Sequence, residues 1–123
     1  VKKRGEIMSK TKAPKYFGIY HGPSYHSYNR ERMMGFTSRK DARQVFEDFY
    51  SGSVRYDEYI ENSDGYLVPW SMGEYSRTPG TCEEDFMDVY TAHPGDTPGT
   101  YTYGDLLYRL SMGPRGGIVV ENA

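Results

Sequence analysis

Ser38-Arg39-Lys40-Asp41-Ala42-Arg43-Gln44-Val45-Phe46-Glu47-Asp48-Phe49-Tyr50-Ser51-Gly52 is the stretch on which the fold turns. Ser38 is a good N-cap, and Asp41 three residues on makes a variant capping box. Ala42, Val45, Phe46 and Phe49 fall at i, i+3, i+4 and i+7, one face of a helix. Gly52 supplies the C-terminal stop, since glycine enters left-handed backbone without strain. The spacing predicts an amphipathic helix over 39–50, with Arg39, Lys40, Arg43, Glu47 and Asp48 on its outer face. A helix with one apolar stripe needs a surface to cover.

The flanking segments read mainly as strands. Upstream, Lys15-Tyr16-Phe17-Gly18-Ile19-Tyr20-His21 is rich in β-formers and ends at Gly22-Pro23. Tyr25 to Arg32 reads as a polar, aromatic loop, and Met33 to Phe36 as a short extended piece. Downstream, Val54, Tyr56, Glu58 and Ile60 alternate with Arg55, Asp57 and Tyr59. Asn62-Ser63-Asp64-Gly65 then leads into Tyr66-Leu67-Val68, a hairpin signal. Pro69 ends that strand or places it at an edge. Ser71 to Gly80 reads as loop. Thr81-Cys82-Glu83-Glu84 is a second capping box and predicts a short helix over 82–90, with Phe86, Val89 and Tyr90 inward. His93 to Gly104 is rich in Pro, Gly and Thr. Leu106, Tyr108, Leu110 and Met112 alternate with Leu107, Arg109 and Ser111, and Ile118 to Glu121 returns after Gly113-Pro114-Arg115-Gly116-Gly117, a second hairpin. Leu106, Leu107 and Leu110 also sit at helical spacing, so a helix over 105–110 stays open. Thr-Pro-Gly-Thr at 78–81 and 97–100 suits a type II turn.

The fold class is therefore α+β. A small, mainly antiparallel sheet of four to six strands carries the 39–50 helix on one face, with the short second helix at an edge or end. The expected core is Phe17, Ile19, Ala42, Val45, Phe46, Phe49, Ile60, Leu67, Val68, Phe86, Val89, Leu110 and Val119.

Composition narrows the class. Val, Leu, Ile and Phe supply 20 of 123 residues, while Tyr alone supplies 13. Such a core is aromatic, and its hydroxyls need partners once buried. Because the rings fall at helical and strand spacings, the aliphatic shortage reads as a thin core and not as disorder. One Cys excludes an internal disulfide framework and a Cys-based zinc site. No apolar run approaches the ~18 residues of a membrane-spanning helix, and no signal-peptide core is present. The net charge of −2 divides unevenly: residues 8–55 carry +5 and residues 56–123 carry −9. That asymmetry hints at an acidic partner for the first half, and mutual neutralisation is the plainer explanation. Val1 in first place suits a fragment or a literally translated GTG start. Arg4-Gly5-Glu6 is encodable by a ribosome-binding sequence just ahead of Met8. Residues 1–7 are thus expected to be a translated leader or a disordered terminus, and residues 8–123 a single domain.

The most chemically loaded segment runs from Tyr20 to Arg32. It offers two imidazoles, three phenols and two guanidiniums. Arginine with aromatics can hold phosphate, stack on bases or anchor a protein interface. The candidate binding residues are Tyr25, His26, Tyr28, Arg30 and Arg32, joined by Lys40 and Arg43 from the helix and Arg115 from the last turn. Gly113-Pro114-Arg115-Gly116-Gly117 could form an anion nest, although an exposed hairpin turn explains it more simply. Cys82 sits at the start of the second predicted helix, where a thiol pKa falls, yet only His93 is near in sequence as a base. Asp57, Glu58, Glu61 and Asp64 lack the calcium-loop pattern. His21, His26 and His93 lack metal-ligand spacing. No catalytic residue, metal or cofactor is assigned.

Tyr16–Gly22, His26–Met33, Glu58–Tyr66 and Tyr108–Gly117 resemble segments of small proteins of unassigned activity encoded by bacteriophages of actinobacteria. The likeness spans most of the chain from residue 15 onward. It implies a phage product acting in the cytoplasm of the bacterial host, and it brings no catalytic residues with it. The leading expectation is a non-catalytic accessory protein that binds a host or phage macromolecule, with a protein as the first candidate partner. A nucleic-acid or nucleotide binder using the Tyr/Arg-rich loop is the second reading. A small enzyme using His21 or His26 is the third, and a virion component the fourth. No membrane partner is expected, and the oligomeric state is left open.

Overall fold

The computed structural model describes residues 13–21, 32–76 and 85–123. Seven strands and one helix follow in the order β1 (Tyr16–His21), β2 (Arg32–Phe36), α1 (Arg39–Ser51), β3 (Ser53–Glu61), β4 (Leu67–Ser76), β5 (Phe86–Pro94), β6 (Tyr101–Met112) and β7 (Ile118–Asn122). The strands form one antiparallel sheet in the order β4-β3-β2-β1-β5-β6-β7. The sheet curls until Leu67 of β4 pairs with Tyr101 of β6, which closes one corner. The architecture is α+β with the sheet dominant.

Helix α1 forms as its caps dictate. Ser38 is extended, and its Oγ accepts the Asp41 N–H at 3.1 Å. Gly52 has φ 135°, and its N–H donates to the Asp48 carbonyl at 3.1 Å. Ala42, Phe46 and Phe49 are fully buried on the sheet. There they meet Tyr20, Met34, Phe36, Val54, Tyr56, Met87, Val89, Tyr108 and Leu110. Tyr20 stacks on Phe49 with centroids 4.2 Å apart, and its hydroxyl donates to Asp85 Oδ2 at 2.6 Å. The aromatic core thus satisfies one of its own hydroxyls internally. A second, smaller cluster of Phe17, Tyr59 and Leu67 lies apart from the first, with Met33, Ala92 and Tyr101 packed around it.

The hairpins close as turn chemistry requires. The Asn62 side chain accepts from the N–H groups of Asp64 and Tyr66, and Gly65 takes φ +87°. In Thr97-Pro98-Gly99-Thr100 the Thr100 N–H donates to the Thr97 carbonyl, with Gly99 at φ +86°. That is the type II pattern expected there. The copy at 78–81 lies outside the described residues.

Several expectations need correction. Among the described residues the sheet already has seven strands, not four to six. Residues 86–90, expected as helix, belong to strand β5. Strand β5 pairs with β1 on one side and, through two register shifts, with β6 on the other, and Met87 and Val89 turn to the helix while Asp88 turns away. Residues 82–84, the start of that expected helix, lie outside the described residues. Residues 105–110 are strand, as their alternation reads, so the helix left open there does not form; residues 71–76, expected as loop, extend β4. Pro69 is accommodated because β4 is an edge strand. In the expected core, Val45, Ile60, Val68 and Phe86 are only partly buried, and Val119 is 45% exposed on the other edge strand. The expected leader, residues 1–7, lies outside the described residues.

Candidate functional site

Strand β4 carries the most unusual surface group. Its ladder with β3 pairs Glu58 with Ser71 and then Tyr59 with Pro69, which leaves Trp70 without an opposite residue. This β-bulge re-aims one side chain. Trp70, the chain's single tryptophan, is 61% exposed, and Met72 two residues on is also exposed. Tryptophan is highly buried on average, so a ring held out by a bulge is informative.

Met72 borders a crevice of about 350 Å³. Its origin is topological. β2 pairs with β3 only at Met34 and Glu58, and the chain then leaves β2 for α1. Thr37, just ahead of α1, and Asp41 and Val45 from its first two turns line one part of the gap. Arg55, Asp57 and Tyr59 from β3 line another. A second cavity, of about 560 Å³, is bordered by Ile19, Met33, Leu67, Glu61 and Tyr103. Burial, with the nearby Asp57 and Tyr101, pushes the Tyr59 phenol up to about 12.

A third grouping gathers His21, Phe86, Asp88 and Arg109. Register places His21 opposite Phe86 and Asp88 opposite Arg109. Arg109 grips Asp88 with two hydrogen bonds, 2.7 and 3.2 Å, and its guanidinium lies 3.8 Å from the Phe86 ring centre. His21 stacks on Phe86 at 4.6 Å, and its Nε2 is 3.9 Å from Asp88 Oδ2, too long for a hydrogen bond. The hydrogen bonds to Asp88, helped by its charge, hold the Arg109 guanidinium above its ordinary range. The stack joins three strands by side-chain contact. His93 plays a similar local part: its Nε2 lies 3.0 Å from the Thr91 hydroxyl, which also accepts the Asp105 N–H.

Of the residues singled out from the sequence, the described ones lie on three different parts of the fold: Arg32 on β2, Lys40 and Arg43 on α1, and Arg115 in the β6–β7 turn. Tyr25, His26, Tyr28 and Arg30 lie outside the described residues. Arg32 opens strand β2. Lys40 and Arg43 are exposed on α1, and Arg115 is exposed in the β6–β7 turn. Trp70 was missed because Pro69 reads as the end of a strand and Ser71 to Gly80 as loop, which leaves the ring between them, where exposure carries no special meaning. A lone Trp beside Pro69 in an edge strand was the available signal. Among the described residues, no group of three His, Cys, Asp or Glu side chains is placed to hold a metal ion. No described helix is long and apolar enough to cross a membrane.

Comparison with protein-family models finds no match. Comparisons with curated proteins and with solved structures find none either.

Proposed function

We propose that this chain is a non-catalytic accessory protein that acts by binding another protein, through the edge strand β4 around Trp70. One observation carries the reading: the single tryptophan is 61% exposed at a bulge, where no ladder partner holds it. Trp is the residue most enriched in the energetic centres of protein interfaces. Met72, two residues on from Trp70, is also exposed and borders the crevice where Arg55 and Asp57 supply polar groups. Pro69 and the bulge interrupt the edge, so the partner engages side chains and does not add a strand. The likeness to small actinobacteriophage proteins supports a host or phage protein as the partner, met in the bacterial cytoplasm.

A nucleic-acid partner is the second reading. Lys40 and Arg43 favour it, because both are exposed near the start of α1. The helix dipole opposes cations at that end, so their presence there calls for another reason.

Pull-down from bacterial lysate with the tagged full chain, with and without nuclease, tests both readings. The expected result is a protein retained after nuclease treatment by the wild type and lost with Trp70→Ala. Retention by Trp70→Ala overturns the first reading. Capture that nuclease abolishes and that weakens as salt rises favours the second.

A further inference from the structure

We propose that two copies of this chain associate through β7, pairing edge to edge about a two-fold axis at Val120. The direction of the backbone groups comes from the β6–β7 ladder. Gly113 N–H donates to the Gly117 carbonyl at one end, and Ala123 N–H donates to the Leu107 carbonyl at the other. Between them the register runs from Met112 opposite Ile118 to Tyr108 opposite Asn122. Antiparallel pairs alternate between hydrogen-bonded and non-hydrogen-bonded. Val119 and Glu121 therefore direct their N–H and C=O groups toward β6. Ile118, Val120 and Asn122 direct theirs outward, where β7 is the terminal strand among the described residues.

Those three residues are symmetric about Val120. An antiparallel pairing of Val120 with Val120 of a second copy sets Ile118 against Asn122 of that copy. Every outward N–H and C=O of the strand then has a partner. Centring the pair on Glu121 sets carboxylate against carboxylate, which is unfavourable. Centring it on Val119 leaves Asn122 facing the Gly113–Gly117 turn. Only the Val120 register satisfies both hydrogen bonding and charge.

The side chains agree. Val119 and Val120 are 45% and 47% exposed, on opposite faces of β7. Edges are commonly blunted by short length, charge, Pro or a bulge, and of these β7 has its five-residue length and the single charge of Glu121. Strand β4, at the other end of the sheet, has Pro69 and the Trp70 bulge. Strand β7 has neither Pro nor Lys, and its register is regular. Two five-residue strands bury less than the ~1,200–2,000 Å² of a stable interface, so the dimer is weak and depends on concentration.

Sedimentation velocity on the full chain over a wide concentration range tests the pairing. The wild type is expected to pass from monomer to dimer and no further, because a two-fold interface closes on itself. Val120→Lys is expected to stay monomeric at the highest concentration with an unchanged melting temperature. In a Cys82→Ser background, Val120→Cys is expected to cross-link under mild oxidation faster than Val119→Cys. The reason is that residue 120 faces its own copy with Cα atoms ~5.5 Å apart, within disulfide reach. A wild type that is monomeric throughout, open-ended growth, a dimer that survives Val120→Lys, or equal cross-linking at 119 and 120 would each overturn the proposal.

Discussion

Replacing Tyr20 with Phe removes one oxygen from the centre of the main core. The ring contacts with Phe49 at 4.2 Å and Phe46 at 6.1 Å remain. What is lost is the 2.6 Å hydrogen bond from the Tyr20 hydroxyl to Asp85 Oδ2. Tyr20 and Asp85 are each only 1% exposed, so water cannot replace the donor without a local opening. Removing a hydrogen bond to a buried carboxylate costs about 1.5–3 kcal/mol. For a chain of this length that corresponds to a fall of roughly 5–15 °C in melting temperature. The bond also ties the start of β5 to β1, so faster amide exchange along Phe86–Val89 accompanies the loss. Tyr66→Phe is the matched control. Its hydroxyl makes a bond of the same 2.6 Å length to Asp96, but at the surface. That variant is expected to melt as the wild type does, because water takes over the exposed carboxylate. Differential scanning calorimetry of both variants makes the comparison. An unchanged Tyr20→Phe melting temperature, or equal losses in the two variants, would refute the reasoning that burial sets the value of these bonds.

Two further outcomes are expected. Tyr59 holds its proton up to about pH 12 in the fold, against about 10 in the unfolded chain. The neutral phenol therefore stabilises the fold fully below about pH 10, and that contribution is lost as pH rises toward 12. Tyr59→Phe should move the alkaline unfolding midpoint upward in a circular-dichroism titration, and an unmoved midpoint counts against the assignment. At Gly73, a Cβ would sit 2.5 Å from two ring atoms of buried Tyr56. Gly73→Ala should cost about 1–3 kcal/mol in urea unfolding. Gly117→Ala, whose Cβ meets nothing within 4 Å, should leave the unfolding midpoint in place. Equal midpoints for the two alanine variants would show that the Tyr56 ring gives way freely.

Local chemistry was legible in the residues. Helix α1 follows from Ser38, Gly52 and the spacing of Ala42, Val45, Phe46 and Phe49, all within one short window. The turns at Asn62–Tyr66 and Thr97–Thr100 follow from Asx and Pro-Gly chemistry in the same way. Residues 86–90 misled because Phe86, Val89 and Tyr90 also fit a helix, and a strand buried from both sides loses the simple alternation of an exposed one. Of the candidate binding residues, Lys40, Arg43 and Arg115 were read correctly as surface groups, but nothing in their spacing could say whether they meet.

The sequence alone determined an α+β chain, the capped amphipathic helix α1, glycine-closed hairpins and an aromatic core, because those features depend on neighbours a few residues apart. Tertiary structure decided the rest. The exposure of Trp70 depends on a bulge that exists only once β4 is registered against β3. The burial of Tyr20, Tyr56 and Tyr108 depends on a helix and strands brought together from distant parts of the chain. The outward aim of Ile118, Val120 and Asn122 depends on the phase of the β6–β7 ladder and on β7 ending the sheet. Each is a property of pairing between segments, and residue preferences within one segment do not specify which partner, or which register, will be found.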